Sequence, residues 1–303
     1  MREDSDMETP TEVARDLPNF IVIGAMKGGT TSLYHYLRNH DQIFMSRIKE
    51  LDFFVAESNW SRGLDWYRHQ FKGAEHAIAR GEASTLYTKY PEYAGVPERI
   101  AKVLPDVRLI YVVRDPIERM RSHYQHRMMT GAEQSPPEVA LLENPTYLNC
   151  SKYAMQLERY LDYVPRERIL IVTSEDLLLN RKATVQQVYE FLGVDPTRVP
   201  PVLDTEFYRT AQRRTYPPVV WWVRRFAKRH LPQAKRTKEM VDLMLSGRSA
   251  GDVPQGGAGS PVAVADDAVL TPELRRRLTD LLHDDVARLR RHMRDDFDGW
   301  GIA

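Results

Sequence analysis

The stretch Phe20-Ile21-Val22-Ile23-Gly24 is apolar from end to end and runs into a turn containing the adjacent glycines Gly28 and Gly29. It lacks the alternation of a half-exposed strand. An unbroken β-branched run of this kind belongs in a parallel strand buried on both faces. Residues 30–37 follow with Leu33 and Leu37 four positions apart and Tyr36 beside them, which is helical spacing. The same grammar recurs: residues 107–113 and 168–173 are strand-like, and amphipathic stretches lie near 97–104, 116–129, 152–163 and 181–192. Strands alternating with helices predict an α/β fold with a central parallel sheet flanked by helices in three layers. Ligands of such sheets bind outside the carboxyl ends of the strands. Gly24 and Arg114 stand at two such ends, so their turns approach one another if the strands are neighbours.

Charge and composition narrow the function classes. Forty-three Lys and Arg oppose 42 Asp and Glu, a formal net charge of +1 in 303 residues, so no global field favours nucleic acid. Any anion site must be local. The lone cysteine, Cys150, cannot form an internal disulfide or a cysteine metal cluster and reads as a half-buried filler. Residues 1–17 are polar and acidic and are expected to be a disordered tail preceding a single domain over 18–303. No window offers the ~20 apolar residues that cross a bilayer, and the expectation is a cytoplasmic protein. Residues 247–268, rich in Gly, Ala, Ser and Pro, read as a flexible loop. Thr271 and Pro272 then cap and open a long amphipathic helix.

The turn after the first strand is an anion cradle in outline, because free backbone N–H groups and the helix dipole converge there. Gly24 and Gly29 keep the G-x-x-x-x-G spacing of nucleotide-binding loops, but Thr30 holds the lysine's place and the lysine is Lys27, within the loop. Thr30, Thr31 and Ser32 add hydroxyl donors. The second piece is residues 111–126: Arg114 leaves a strand, Pro116 opens a helix, and Ser122 lies about two turns along it. Arginine's planar donors suit a phosphate monoester. Two other functions fit this much: a nucleotide-dependent kinase in which Asp115 holds the metal, and a non-catalytic module that binds a phosphorylated ligand.

Taken together, "GAMKGGTTS" and "RDPIERMRSHY" resemble the 5′-phosphosulfate loop and the 3′-phosphate segment of sulfotransferases that use 3′-phosphoadenosine 5′-phosphosulfate (PAPS), in the heparan-sulfate-type and bacterial variant. "KELDFF", "GEASTLY", "VYEFLGV" and the terminal "DFDGW" are similar to later family segments. The resemblance implies a P-loop-like fold, PAPS as donor and no metal requirement. It assigns Lys27 to the leaving phosphate oxygen, Gly28, Gly29, Thr30, Thr31 and Ser32 to the 5′-phosphate, and Arg114 and Ser122 to the 3′-phosphate. Glu50 matches the general base; Glu82 is the rival base, or an orienting group for Lys27 or the acceptor. His123, after Ser122 on the same helix, falls with Glu82 on the acceptor side. Arg213, Arg214, Thr215 and Tyr216 resemble the loop that closes over the nucleotide, with Arg213 where the family prefers glycine. Ala83 stands where the glycosaminoglycan enzymes commonly have lysine. Residues 219–238 mix Trp221, Trp222 and Phe226 with Lys and Arg, a basic amphipathic segment suited to a membrane surface or an anionic acceptor. The acceptor expected is a hydroxyl or amine on a carbohydrate, glycolipid, other lipid-linked molecule or secondary metabolite.

Overall fold

The structure is a computed structural model that describes residues 16–200, Leu203 and residues 270–303. Five parallel strands form one sheet in the order β2-β3-β1-β4-β5: β1 is Phe20–Gly24, β2 Ile43–Met45, β3 Ala79–Ala83, β4 Arg108–Val113 and β5 Ile169–Thr173. Phe20 pairs with Gly81 on one side and Arg108 on the other, so β1 is the central strand. Every residue of β1 is buried.

Side-chain alternation along the strands divides the core into two layers. Ile21, Ile23, Leu109, Tyr111 and Val113 face one way, against Phe53, Tyr67 of α2 (Gly63–His69), Ile100 of α3 (Val96–Val103) and Leu157 of α7 (Tyr153–Leu161). Phe20, Val22, Ile110 and Val112 face the other way, against Leu33 and Leu37 of α1 (Thr30–Arg38) and Val188 of α9 (Arg181–Leu192). Each such aliphatic or aromatic side chain contributes on the order of 1.5–3 kcal/mol by leaving water. A smaller cluster joins Ile117 and Met120 of α4 (Pro116–Met129), Leu141 of α5 (Pro137–Glu143) and Tyr147 of α6 (Pro145–Asn149) to α10 (Pro272–Arg290). A short α8 (Ser174–Leu179) follows β5 directly.

The expected strands and most of the helices stand where the periodicity put them, with α4 and α9 matching at both ends. Three differences have physical causes. β2 carries only three residues, Ile-Phe-Met, too few to show a period, and is a strand because it pairs with Ala79–Gly81. Leu17, placed in the expected tail, is buried, and its carbonyl accepts a hydrogen bond from Arg80 Nε at 3.1 Å. Cys150 is fully buried rather than half-buried. The segments 219–238 and 247–268 lie outside the described residues, as do residues 1–15. Among the described residues no helix is long and apolar enough to cross a membrane.

α10 begins as its sequence indicates, with the Thr271 hydroxyl accepting from Leu274 N. Its inward face carries Leu274, Leu278, Leu282, Val286 and Leu289, and one buried acid, Asp285. The Asp285 carboxylate accepts from Ala154 N at 3.0 Å and Met155 N at 2.9 Å, closing the N-terminus of α7. Replacing Asp285 with Ala should strand both amides and cost about 2–3 kcal/mol, read as a lower urea midpoint with unchanged slope.

Candidate active site

The loop after β1 is held against the neighbouring strand by backbone atoms. Ala25 N donates to Val112 O at 2.7 Å and Gly28 N to Ala25 O at 2.9 Å. A Cβ on Gly28 would stand 2.5 Å from Val112 O, so only glycine lets the loop lie this close to β4. Gly29 takes φ 102° and Lys27 φ 68°, so the loop turns through left-handed backbone immediately before α1. No side chain caps α1 and no acid lies in its first turn, which leaves its positive end without a competing carboxylate. One expectation is corrected here. The Gly28 amide is already donated within the loop, so Gly28 serves the close approach to Val112, while Gly29, Thr30, Thr31 and Ser32 occupy the helix start.

On the adjacent strand, β4 ends at Val113, and Arg114 follows half-buried. Among the described residues its guanidinium has no hydrogen-bond or ion-pair partner. Asp115 behaves differently from a metal-holding acid: its Oδ1 accepts from Ile117 N at 2.8 Å and Glu118 N at 3.1 Å and so caps α4. Ser122 lies on the buried face of that helix.

The acceptor side is built on β3. Glu50 is in neither helix nor strand; it takes φ 65° and its N–H donates to Ala83 O at 2.9 Å, which hangs it over the carboxyl end of β3. Its carboxylate is partly exposed and meets Lys49 Nζ at 2.7 Å. Glu50, from the segment after β2, is therefore held over the end of β3, while Lys27 and Arg114 follow the ends of β1 and β4, three strands side by side.

Glu82 and His123 were expected to touch substrate, and both are buried. Glu82 has no exposed surface, and its carboxylate receives hydrogen bonds from the hydroxyls of Tyr67 (2.7 Å), Tyr87 (2.9 Å) and Ser84 (2.7 Å). Burial pushes its pKa up to about 7, with the three hydroxyls pulling the other way. His123 is buried too, with its ring 4.8 Å from that of Tyr147 and its Nδ1 3.5 Å from Arg119 Nη1. Burial first, then Arg119, Lys89 and Arg127, lowers its pKa to about 2, so it stays neutral. Both side chains are enclosed by protein.

Arg119 and Lys89 escaped the sequence reading. Arg119 is wholly buried, donating to Ser151 Oγ and the Tyr147 carbonyl, with no carboxylate paired to it among the described residues. Lys89 acts electrostatically on His123 and Cys150 from the turn after β3. The i,i+4 spacing of Arg119 and His123 was the available signal for the first; nothing local marked Lys89. Arg213, Arg214, Thr215 and Tyr216 lie outside the described residues. Among the described residues no group of three or more His, Cys, Asp or Glu is arranged to hold a metal ion.

A parallel α/β sheet with an anion-type loop at its central strand defines a class of phosphate-handling scaffold. The sulfotransferase domain model matches residues 17–214, well over half of the chain, and the chain belongs to that family. It is 30% identical over 207 residues to bifunctional heparan sulfate N-deacetylase/N-sulfotransferase 2 of Bos taurus, covering 59% of this chain and 22% of that protein. It is also 30% identical over 198 residues to heparan sulfate glucosamine 3-O-sulfotransferase 5 of Mus musculus, covering 61% of this chain and 56% of that one. The matched region thus spans about a fifth to about half the length of these relatives. Among solved structures, a sulfotransferase from Alicyclobacillus acidocaldarius shares the fold with a TM-score of 0.66 at 24% identity, covering 94% of this chain and 98% of that one.

The buried neutral His123 carries a pH signature. Its pKa is depressed in the folded chain, so its stabilising contribution is present above pH 6.5 and is lost as pH falls toward about 2. Going from pH 6.5 to 5.5, wild type should lose roughly 1 kcal/mol more than His123→Gln in parallel urea titrations.

Proposed function

We propose that this chain transfers a sulfuryl group from PAPS to a hydroxyl or amine of a carbohydrate acceptor. The observation that carries the reading is that Glu50 is tied by its backbone to the end of β3 while Lys27 and Arg114 follow the ends of the neighbouring strands β1 and β4. The residues fit the donor nucleotide. A glycine cradle lies tight on β4, α1 begins with no acid in its first turn, and the Arg114 guanidinium has no partner among the described residues. Gly29, Thr30, Thr31 and Ser32 would hold the 5′-phosphate, and Arg114 and Ser122 the 3′-phosphate. PAPS supplies a sulfuryl group on a good leaving group.

Lys27 places its ammonium where negative charge grows on the departing phosphate oxygen, and such a charge matters most in a site shielded from water. Glu50 draws the proton from the acceptor as attack proceeds. Lys49, paired with Glu50, and exposed Arg47 put positive charge beside the base, which suits a saccharide bearing acidic groups. Phosphoryl transfer is less well supported, because Thr30 occupies the nucleotide-loop lysine position and the Asp115 carboxylate is used as a helix cap.

The test is thermal shift with 3′-phosphoadenosine 5′-phosphate, ADP and AMP, followed by turnover. At a hundredfold excess over Kd the first nucleotide should stabilise the protein by about 2.7 kcal/mol, with little effect from the others. Equal shifts from all three would remove the donor assignment. Lys27→Ala should keep its fold and lose at least ~100-fold in kcat. Glu50→Gln should bind the nucleotide normally and transfer almost nothing; wild-type turnover there would place the base elsewhere. Tight nucleotide binding without transfer to any sulfatable saccharide would favour a binding module.

A further inference from the structure

The acceptor side of the cleft rests on residues 50–54, and their supports converge on one buried acid. Glu50 and Asp52 take φ 65° and 50°, backbone that non-glycine residues keep only when their surroundings insist on it. Three amides tie the segment down: Glu50 N to Ala83 O at 2.9 Å, Asp52 N to Ser84 Oγ at 3.0 Å and Phe54 N to Tyr87 Oη at 3.4 Å. Two of these three acceptors are hydroxyls, which can donate or accept. Each amide can only donate, so what is left to settle is where the hydroxyl's own proton goes.

Glu82 settles it. An ionised carboxylate only accepts, so Ser84 and Tyr87 direct their protons to Glu82 and turn their lone pairs toward Asp52 and Phe54. Tyr67 donates to the same carboxylate, and its ring stacks on Phe53 with centroids 4.2 Å apart and 9° between planes. No cation is paired with Glu82 among the described residues. Burying an unpaired carboxylate is costly.

We propose that Glu82 is a positioning residue for the acceptor side: its ionised carboxylate orients the Ser84 and Tyr87 hydroxyls, which hold residues 50–54 and so keep Glu50 over the end of β3. The catalytic half of this statement rests on Glu50 being the base. Protonated Glu82 becomes a donor, and one hydroxyl must turn to accept from it, so that its own proton loses its acceptor there, one lone pair is taken by the acid and its hold on the segment amide weakens. The groups facing Glu82 are Tyr67 from α2, Tyr87 from the turn after β3, Tyr160 from α7 and Asp52 from the segment itself. All are acids, so none neutralises it.

Stability and positioning then respond to pH in opposite directions. The Glu82 pKa is raised in the fold, from 4.5 to about 7, so its contribution to stability is full below pH 4.5 and is lost as pH rises through about 7. The hold on residues 50–54 strengthens over that same rise. A residue that merely supported the fold would move both together.

The experiment compares wild type, Glu82→Gln and Tyr67→Phe from pH 5.5 to 8.5. It measures hydrogen exchange of the 50–54 amides, corrected for intrinsic rates, together with kcat and the thermal shift given by 3′-phosphoadenosine 5′-phosphate. In wild type the protection of Asp52 and Phe54 should rise at least fivefold through about pH 7, with kcat following it. Glu82→Gln should keep the nucleotide shift, lose this protection and fall at least tenfold in kcat, with no acid limb near 7. Tyr67→Phe, which removes one hydrogen bond to the anion, should move that limb upward. Wild-type protection unchanged across the range, or unchanged in Glu82→Gln, overturns the proposal, and the wild-type arm decides even if the variant does not fold. Protection that behaves as expected while Glu50→Gln remains fully active leaves the positioning role intact and removes only the base assignment.

Discussion

The structure depends on the contact between the Gly28 backbone and the Val112 carbonyl. Ala25 N and the bare Cα of Gly28 both press on that one carbonyl, so the loop after β1 and the last turn of β4 form a single backbone unit. Arg114 lies two residues past Val112 and Lys27 one residue before Gly28. The relation between these two cations is thereby set by main-chain atoms, which have few degrees of freedom, rather than by long side chains that would lose conformational entropy on being fixed. A site that binds the two ends of one ligand benefits from such preorganisation, because less ordering remains to be done on binding.

What could be read from the sequence was whatever has a local cause. β1 and β4 are legible because burial on both faces demands unbroken apolar runs, and α4 because Asp115 and Pro116 sit at its N-cap and first position. The candidate base and phosphate residues were named through resemblance, Glu50 through "KELDFF" and the phosphate residues through "GAMKGGTTS" and "RDPIERMRSHY". The rest is tertiary. No pattern in "GEAS" says that hydroxyls from positions 67, 84 and 87 will meet at Glu82, so a carboxylate that looked available for substrate is enclosed. His123 misled for a similar reason: its helix position beside Ser122 is clear, but the pressure of Arg119 and Tyr147 against its ring is not. The donation of the Gly28 amide within its own loop is likewise a matter of turn geometry that composition does not encode.

The formal net charge of +1 conceals a separation of buried charge. Around α4, Arg119 is buried with no acid paired to it among the described residues, and burial together with Arg119, Lys89 and Arg127 keeps His123 neutral. Around β3, Glu82 is buried with no cation paired to it among the described residues. Each arrangement is costly in a folded core. The positive excess sits on the side assigned to the nucleotide, where a doubly phosphorylated ligand would offset it; the negative one sits behind the segment assigned to the acceptor.

The two sides meet at the short 3-10 turn Thr85–Thr88. Tyr87 faces the acceptor side, joining Glu82 to Phe54. The next residue, Thr88, donates to Ile23 O at 3.2 Å and fills the space that a side chain on Gly24 would need. Tyr160 of α7 holds the turn from behind, its hydroxyl 2.7 Å from Tyr87 O. Consecutive residues thus touch the base-bearing segment and the root of the nucleotide loop, and a displacement of either is felt by the other through one peptide unit. In-line transfer requires the proton-accepting carboxylate and the leaving-group cation to keep their separation as charge moves between them. If Glu50 and Lys27 take the roles proposed for them, a link of this kind between the strand ends beside them supplies that condition through the main chain.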